Sequence, residues 1–276
     1  MAWIVTCIAH SFEAHGKRIF KPPFLGFVRQ WISVKYAQDP LRNSIIKILD
    51  AENVSVSLDE IDAPLLITAV SQTLAETVPM ASRGFASIKA SNQLLLDAIL
   101  SSSAAPGYFP PHTVGNEVFV DGSLVANAPE LVAVTQTLSM TAADIKNLHV
   151  LSIGTVGNRK NDQHRHPGSP GIVKWMVSRG LFQLTLSAQE RMAVEQCSSL
   201  LGDRYCRLDQ VPTDEQSRFL RLDIANDSAC KILTSLAEDT VNSALQNDRF
   251  RIDGFLSHNT ARSVETLKTS TKTANS

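Results

Sequence analysis

Val118-Phe119-Val120-Asp121-Gly122-Ser123-Leu124-Val125-Ala126-Asn127-Ala128-Pro129 is the stretch on which the reading of this chain turns. A short β-branched and aromatic run predicts a strand over Val118 to Val120 and delivers an aspartate onto a glycine turn. A helix start follows, with Asn127 as its cap and Glu130 three residues on to complete a capping box. An aspartate at a strand end beside a glycine is how α/β enzymes present a carboxylate to a cleft. Fifteen residues before Val118 lies a second turn-rich block, Ser103-Ala104-Ala105-Pro106-Gly107-Tyr108-Phe109-Pro110-Pro111.

Working outward, Pro64 to Val70 (Pro-Leu-Leu-Ile-Thr-Ala-Val) is nearly all apolar between turn formers, which predicts a strand buried on both faces. Leu148 to Ile153 predicts another apolar strand, closing on Gly154-Thr155. Arg204–Leu208 and Phe219–Leu222 are shorter strand-like pieces. Helices are expected over the first twenty residues, ending near Gly16, and over Asp39 to Leu49, where Pro40 sits in the first turn. Further helices are expected over Asn92 to Ser101, over Ile172 to Leu201 with a break near Gly180, and over Ser228 to Gln246 behind the caps Asn226 and Asp227. Ser101, Ser102 and Ser103 read as the C-terminal end of their helix. Residues 156–171 are polar and rich in Gly, Pro, Asn and His, the composition of a surface loop. Apolar strands alternating with helices predict an α/β fold: a mostly parallel sheet with helices on both faces.

Composition narrows the function. The 276 residues carry a net charge of −1 and are 43% hydrophobic, enough for a sizeable core and without the basic excess of a nucleic-acid binder. The seven histidines show no metal-ligand spacing. The four cysteines, Cys7, Cys197, Cys206 and Cys230, form no Cys-x-x-Cys pair and read as reduced thiols of a cytoplasmic protein. The apolar run Ala2 to Ala9 is too short to span a bilayer and lacks a basic flank, so neither a transmembrane segment nor a secretion signal is expected. A peripheral encounter with membranes stays open.

Asp121 has two readings. It can cap an ordinary Asp-Gly turn, or it can act as the base that deprotonates a serine, since a hydroxyl attacks an ester poorly until a neighbour accepts its proton. Four blocks in order favour the second. Pro64 to Val70, Ser102 to Pro111, Val118 to Pro129, and Leu151-Ser152-Ile153-Gly154-Thr155 together resemble the patatin-like phospholipases, from about Ala14 to about Arg204. The resemblance implies a lipid acyl hydrolase of phospholipase A type, acting on membrane phospholipid or another lipid ester through a Ser-Asp dyad, with no cofactor and no metal. It places the proton acceptor at Asp121 and the motif turn at Asp121, Gly122 and Ser123. Serine at 123 departs from the glycine or alanine usual in the family, and a positive φ there would cost about 1 kcal/mol or more.

The family's glycine-rich oxyanion loop and Gly-x-Ser-x-Gly nucleophile elbow have no counterpart in the 276 residues. Pro167-Gly168-Ser169-Pro170-Gly171 comes nearest, but Pro170 opposes the helix an elbow must open. The resemblance therefore implies a single domain over 1–268 that lacks its first strands, oxyanion loop and nucleophile, with 269–276 a disordered tail. On this expectation the chain is a fragment or truncated member, inactive by itself and prone to form oligomers through its open sheet edges. The alternative is a catalytically dead scaffold or a module that binds lipid or a partner. Other candidates have bland and functional readings side by side. Trp3, Trp31 and Trp175 are core or interfacial aromatics, though Trp31 with Phe20, Phe24 and Phe27 could line an acyl pocket. His164 and His166 flank Arg165 in a polar loop, and His112 is either a turn histidine or a substrate contact.

Overall fold

The computed structural model describes residues 15–21, 34–53, 55–86, 90–156, 181–221 and 223–257. Outside them lie the expected helix over residues 1–14, Cys7, the three tryptophans, Phe24 and Phe27. Also outside are residues 157–180 with His164, Arg165, His166 and Ser169, then Leu222, and the expected tail. Residues 15–19 are helical. In chain order the further elements are α1 (Gln38–Asn53), β1 (Leu66–Ser71), β2 (Glu76–Ala81), α2 (Leu95–Ser102), β3 (His112–Val114), β4 (Glu117–Asp121), α3 (Ser123–Ala126) and α4 (Glu130–Met140). Then follow β5 (Val150–Ile153), α5 (Leu181–Leu201), β6 (Tyr205–Leu208), α6 (Asp214–Ser217), α7 (Asp227–Asn247) and α8 (Arg249–Ser257). The chain forms two compact units. One comprises Met1–Leu124, Gln136–Ala142 and Asp223–Cys230; the other comprises Val125–Thr135, Ala143–Leu222 and Lys231–Ser276.

The first unit is built on a four-stranded sheet in the order β2-β1-β4-β3. Every pairing in it is antiparallel, so the expected mostly parallel sheet is corrected here. The cause lies in the connections. Residues 72–75 return β1 directly into β2, with Ala75 at φ 57°, and a turn at Gly115 (φ 60°) joins β3 to β4. Tight turns can only join antiparallel neighbours; a parallel pair needs a long crossover. The 64–70 run is accordingly a half-buried strand rather than one sealed on both faces. Helix α2 packs on β1, β3 and β4. Leu58, Ala69, Met80, Ala98 and Phe119 form the buried core between them. Leu96 and Leu100, elsewhere on α2, meet Ile45 and Leu41 of α1 in a second cluster. Asn226 accepts a hydrogen bond from the Ala229 N–H at 2.8 Å, capping α7 as its sequence predicts.

The second unit contains the one parallel pair among the described residues, β5 with β6 in register Val150↔Tyr205 to Ile153↔Leu208. Helix α5 lies in the connection and packs against β6. Residues 218–221 form a turn and coil, not the expected strand piece, and α8 extends the helical tail beyond what the sequence pattern indicated. The centre of this unit is charged. Arg207, on β6, donates from Nη1 to Glu130 Oε1 and Ser152 Oγ, each at 2.9 Å. Its Nη2 donates to Glu190 Oε1 at 2.7 Å and to Asp209 Oδ2 at 3.0 Å, and its Nε donates to Asp209 at 3.3 Å. All five guanidinium protons are thus used. Tyr205 also donates to Glu130 Oε1, at 2.8 Å, and Asn127 to Glu190 Oε2, at 2.9 Å. The expected Asn127–Glu130 capping box gives way to this network, because both side chains turn toward Arg207 and its partners. Burial opposes the Arg207 charge, but Glu130, Asp209 and Glu190 outweigh it and hold its pKa above the ordinary value.

Removing one partner of a buried ion network strands the others without compensation. Arg207→Met leaves three buried carboxylates facing one another. Urea denaturation should show a loss of about 3–5 kcal/mol, far beyond the effect of Arg249→Met at an exposed i,i+4 pair.

Candidate active site

Asp121 ends β4, and three contacts fix it. It pairs with Ala69 of β1 in the ladder. Its N–H donates to the Ala104 carbonyl at 3.1 Å. Its Oδ1 accepts the Ser123 N–H at 2.7 Å. The second contact joins the two turn-rich blocks of the sequence: the loop after α2 ends against the strand that carries the aspartate. The last contact is an Asx turn, which bends the chain from strand into α3. Burial pushes the Asp121 carboxyl above its ordinary pKa, and hydrogen bonds from the Ser123 backbone and hydroxyl offset only part of this. The site is therefore a half-buried carboxylate of raised basicity.

Gly122 is required by space. A Cβ at this position would lie 2.2 Å from the Thr68 carbonyl oxygen and 2.7 Å from Thr68 Oγ1. Neither Gly122 nor Ser123 adopts a positive φ; among the described residues the non-glycine cases are Ala75 and Val156. The strain anticipated at Ser123 is absent, since Ser123 simply opens α3.

The other candidates resolve differently. Ser101 is fully buried in α2 and Ser103 is its C-cap, as their position predicts. His112 opens β3 opposite Phe119, with Nε2 3.0 Å from Asp97 Oδ1 and Nδ1 3.3 Å from Gln38 Oε1. Both ring nitrogens are engaged inside the protein, so His112 is a structural link between α1, α2 and β3. Phe20 packs edge-on to Tyr36 at 5.4 Å and also meets Phe109. In the second unit, the glycine of Leu151–Thr155 also answers to space: a Cβ on Gly154 would fall 2.1 Å from the Asp209 carboxylate carbon. Among the described residues no cluster of His, Cys, Asp or Glu could hold a metal ion. The Arg207 network escaped the sequence reading because its members are spread from 127 to 209. The one local signal was Arg207-Leu208-Asp209, two charges breaking an otherwise apolar strand end.

Residues 9–134 match the family described as "Patatin-like phospholipase". A cGAMP-activated phospholipase of Pseudomonas aeruginosa is 27% identical over 87% of this chain and 72% of its own length. One of Escherichia coli is 26% identical over 75% of this chain and 62% of its own length. Patatin-like protein 1 of Arabidopsis thaliana is 26% identical over 63% of this chain and 49% of its own length. The chain thus spans between about half and three quarters of these relatives.

Two substitutions test the geometry. Gly122→Ala must displace the β1 backbone, and overpacking of this kind should cost about 1–3 kcal/mol in thermal or urea unfolding. Asp121→Asn keeps the acceptor for the Ser123 N–H but removes the charge. A carboxyl with a raised folded pKa contributes stability that is present below the unfolded value and lost as pH rises through the folded one. Asp121→Asn should therefore melt like the wild type under strongly acidic conditions and a few degrees higher at neutral pH.

Proposed function

We propose that this chain, whose residues 9–134 match the patatin-like phospholipases, hydrolyses lipid acyl esters, with Asp121 as the proton acceptor of a Ser-Asp dyad. The observation that carries this is the raised basicity of Asp121 at the end of β4, on a turn that only glycine fits. In the reaction a serine oxygen attacks the ester carbonyl carbon while its proton passes to the Asp121 carboxylate. The proton then goes to the departing alcohol oxygen as the ester C–O bond breaks, leaving an acyl-serine, and water repeats the sequence to release the fatty acid. Desolvation of the carboxylate raises its affinity for that proton, which is what a base working without histidine requires.

The same proposal takes residues 1–268 as one patatin-like domain in a cytoplasmic protein that meets membrane lipid from outside. Among the described residues no helix is long and apolar enough to cross a membrane. The nucleophile is the part these 276 residues do not supply, since they contain no Gly-x-Ser-x-Gly, and Ser101 is sealed in the core. That absence also favours the second reading, a lipid- or partner-binding module without turnover. Two bacterial relatives are named for activation by cGAMP, so the assay is run with and without it.

The purified 276-residue polypeptide should neither label with a fluorophosphonate probe nor hydrolyse a fluorogenic phospholipid under either condition. A labelled serine would overturn the absence of a nucleophile. If that labelling were undiminished in Asp121→Asn, Asp121 would leave the mechanism too.

A further inference from the structure

Asp121 and Ser123 both belong to the first unit and stand two residues apart, across Gly122. Ser123 supplies two hydrogen bonds to the Asp121 carboxylate, one from its backbone and one from its hydroxyl. The backbone bond runs from the Ser123 N–H to Oδ1 at 2.7 Å. Among the described residues no charged side chain shifts this carboxyl; burial and Ser123 are the influences on it. Both residues are partly buried, so the carboxylate is shielded without being closed to an incoming hydroxyl.

The turn leaves the serine little freedom. Gly122 cannot carry a side chain against the Thr68 carbonyl, and the Ser123 N–H is committed to Oδ1. Ser123 is also the first residue of α3. With its backbone held there, its hydroxyl reaches the carboxylate through a single rotation about χ1.

The two bonds have different origins. Any residue except proline brings an N–H to position 123, whereas the hydroxyl requires serine or threonine. The N–H is therefore a property of the turn, and the hydroxyl a property of the residue at that position. Hydrogen bonds to a carboxylate favour its charged form, and burial favours the neutral one. A base must be ionised before it can accept a proton.

From these observations we propose that Ser123 is a positioning residue for the candidate base: its hydroxyl, beside its N–H, holds the Asp121 carboxylate in one rotamer and in its charged form. The clamp is a property of the turn. Only its meaning in catalysis rests on the reading of Asp121 as a proton acceptor. On that reading the Ser123 hydroxyl holds the carboxylate ready at rest. It binds less strongly once the proton has arrived, because a neutral carboxyl is the weaker acceptor.

Ser123→Ala and Ser123→Gly keep the N–H and lose the hydroxyl, while Ser123→Thr keeps both. The full 276-residue chain is labelled with carbon-13 at aspartate. The Asp121 carboxyl is then titrated by NMR, and its Hα–Hβ couplings are read at neutral pH. The unmutated chain should show couplings of a single χ1 rotamer. Alanine and glycine should each move the Asp121 midpoint upward from that of the unmutated chain and average the couplings, and threonine should restore both. Circular dichroism identifies the variants that fold. A serine that merely opens α3 would change the Tm of its variants and leave the Asp121 midpoint in place.

Averaged couplings in the unmutated chain would overturn the proposal. So would an unmoved or lowered midpoint in the alanine or glycine variant, or failure of threonine to restore it. A midpoint in the unmutated chain at or below the ordinary aspartate range, with the upward shift still present in Ser123→Ala, would support the clamp and end the reading of Asp121 as a base.

Discussion

The approach of Gly122 to the Thr68 carbonyl governs the position of everything around the carboxylate. Any side chain at 122 would overlap β1 backbone, so the turn after β4 can close only with glycine. Once closed, it brings Asp121 N–H onto the Ala104 carbonyl and the Ser123 N–H onto the Asp121 carboxylate. Backbone donors and acceptors held in this way have no rotamers to search. The cost is partial burial of a charge, visible in the raised pKa of Asp121.

Charge is handled differently in the second unit. There three carboxylates share one guanidinium, and every Arg207 proton is placed. A cluster of this kind contributes little net stability over an apolar replacement, because desolvation offsets most of the attraction. It does specify partners: Glu130 of α4, Ser152 of β5, Glu190 of α5 and Asp209 beyond β6 meet in one arrangement only. Glycine serves close approach here too, since Gly154 leaves room for the Asp209 carboxylate.

Local signals were legible in the sequence and pairing was not. The Asp-Gly turn, the Pro40 helix start, the Asn226 cap and the apolar run that becomes β1 depend on neighbours within a few residues, and each appears where its residues indicate. The direction of the sheet depends on connections. The Leu74-Ala75 turn and the Gly115-Asn116 turn lie between runs too short or too polar to stand out as strands, so no local pattern marks β2 and β3 or signals the antiparallel sheet. Tertiary contacts also override the local pattern at Asn127 and Glu130: α4 begins only at Glu130, and Glu190 and Arg207 engage the two side chains. The Asp121 turn was legible because its residues are adjacent; the Arg207 network was not, because its members come from 127, 130, 152, 190, 207 and 209.

The central claim is that Asp121 is a carboxylate made basic by the turn that buries it. A carbon-13 titration of the aspartate side-chain carboxyls, with Asp121 assigned by its loss in Asp121→Asn, measures this directly. The account predicts a midpoint for Asp121 above the ordinary aspartate value of about 3.9. A midpoint at or below that value would mean the Ser123 hydrogen bonds outweigh burial, leaving an ordinary turn aspartate rather than a base.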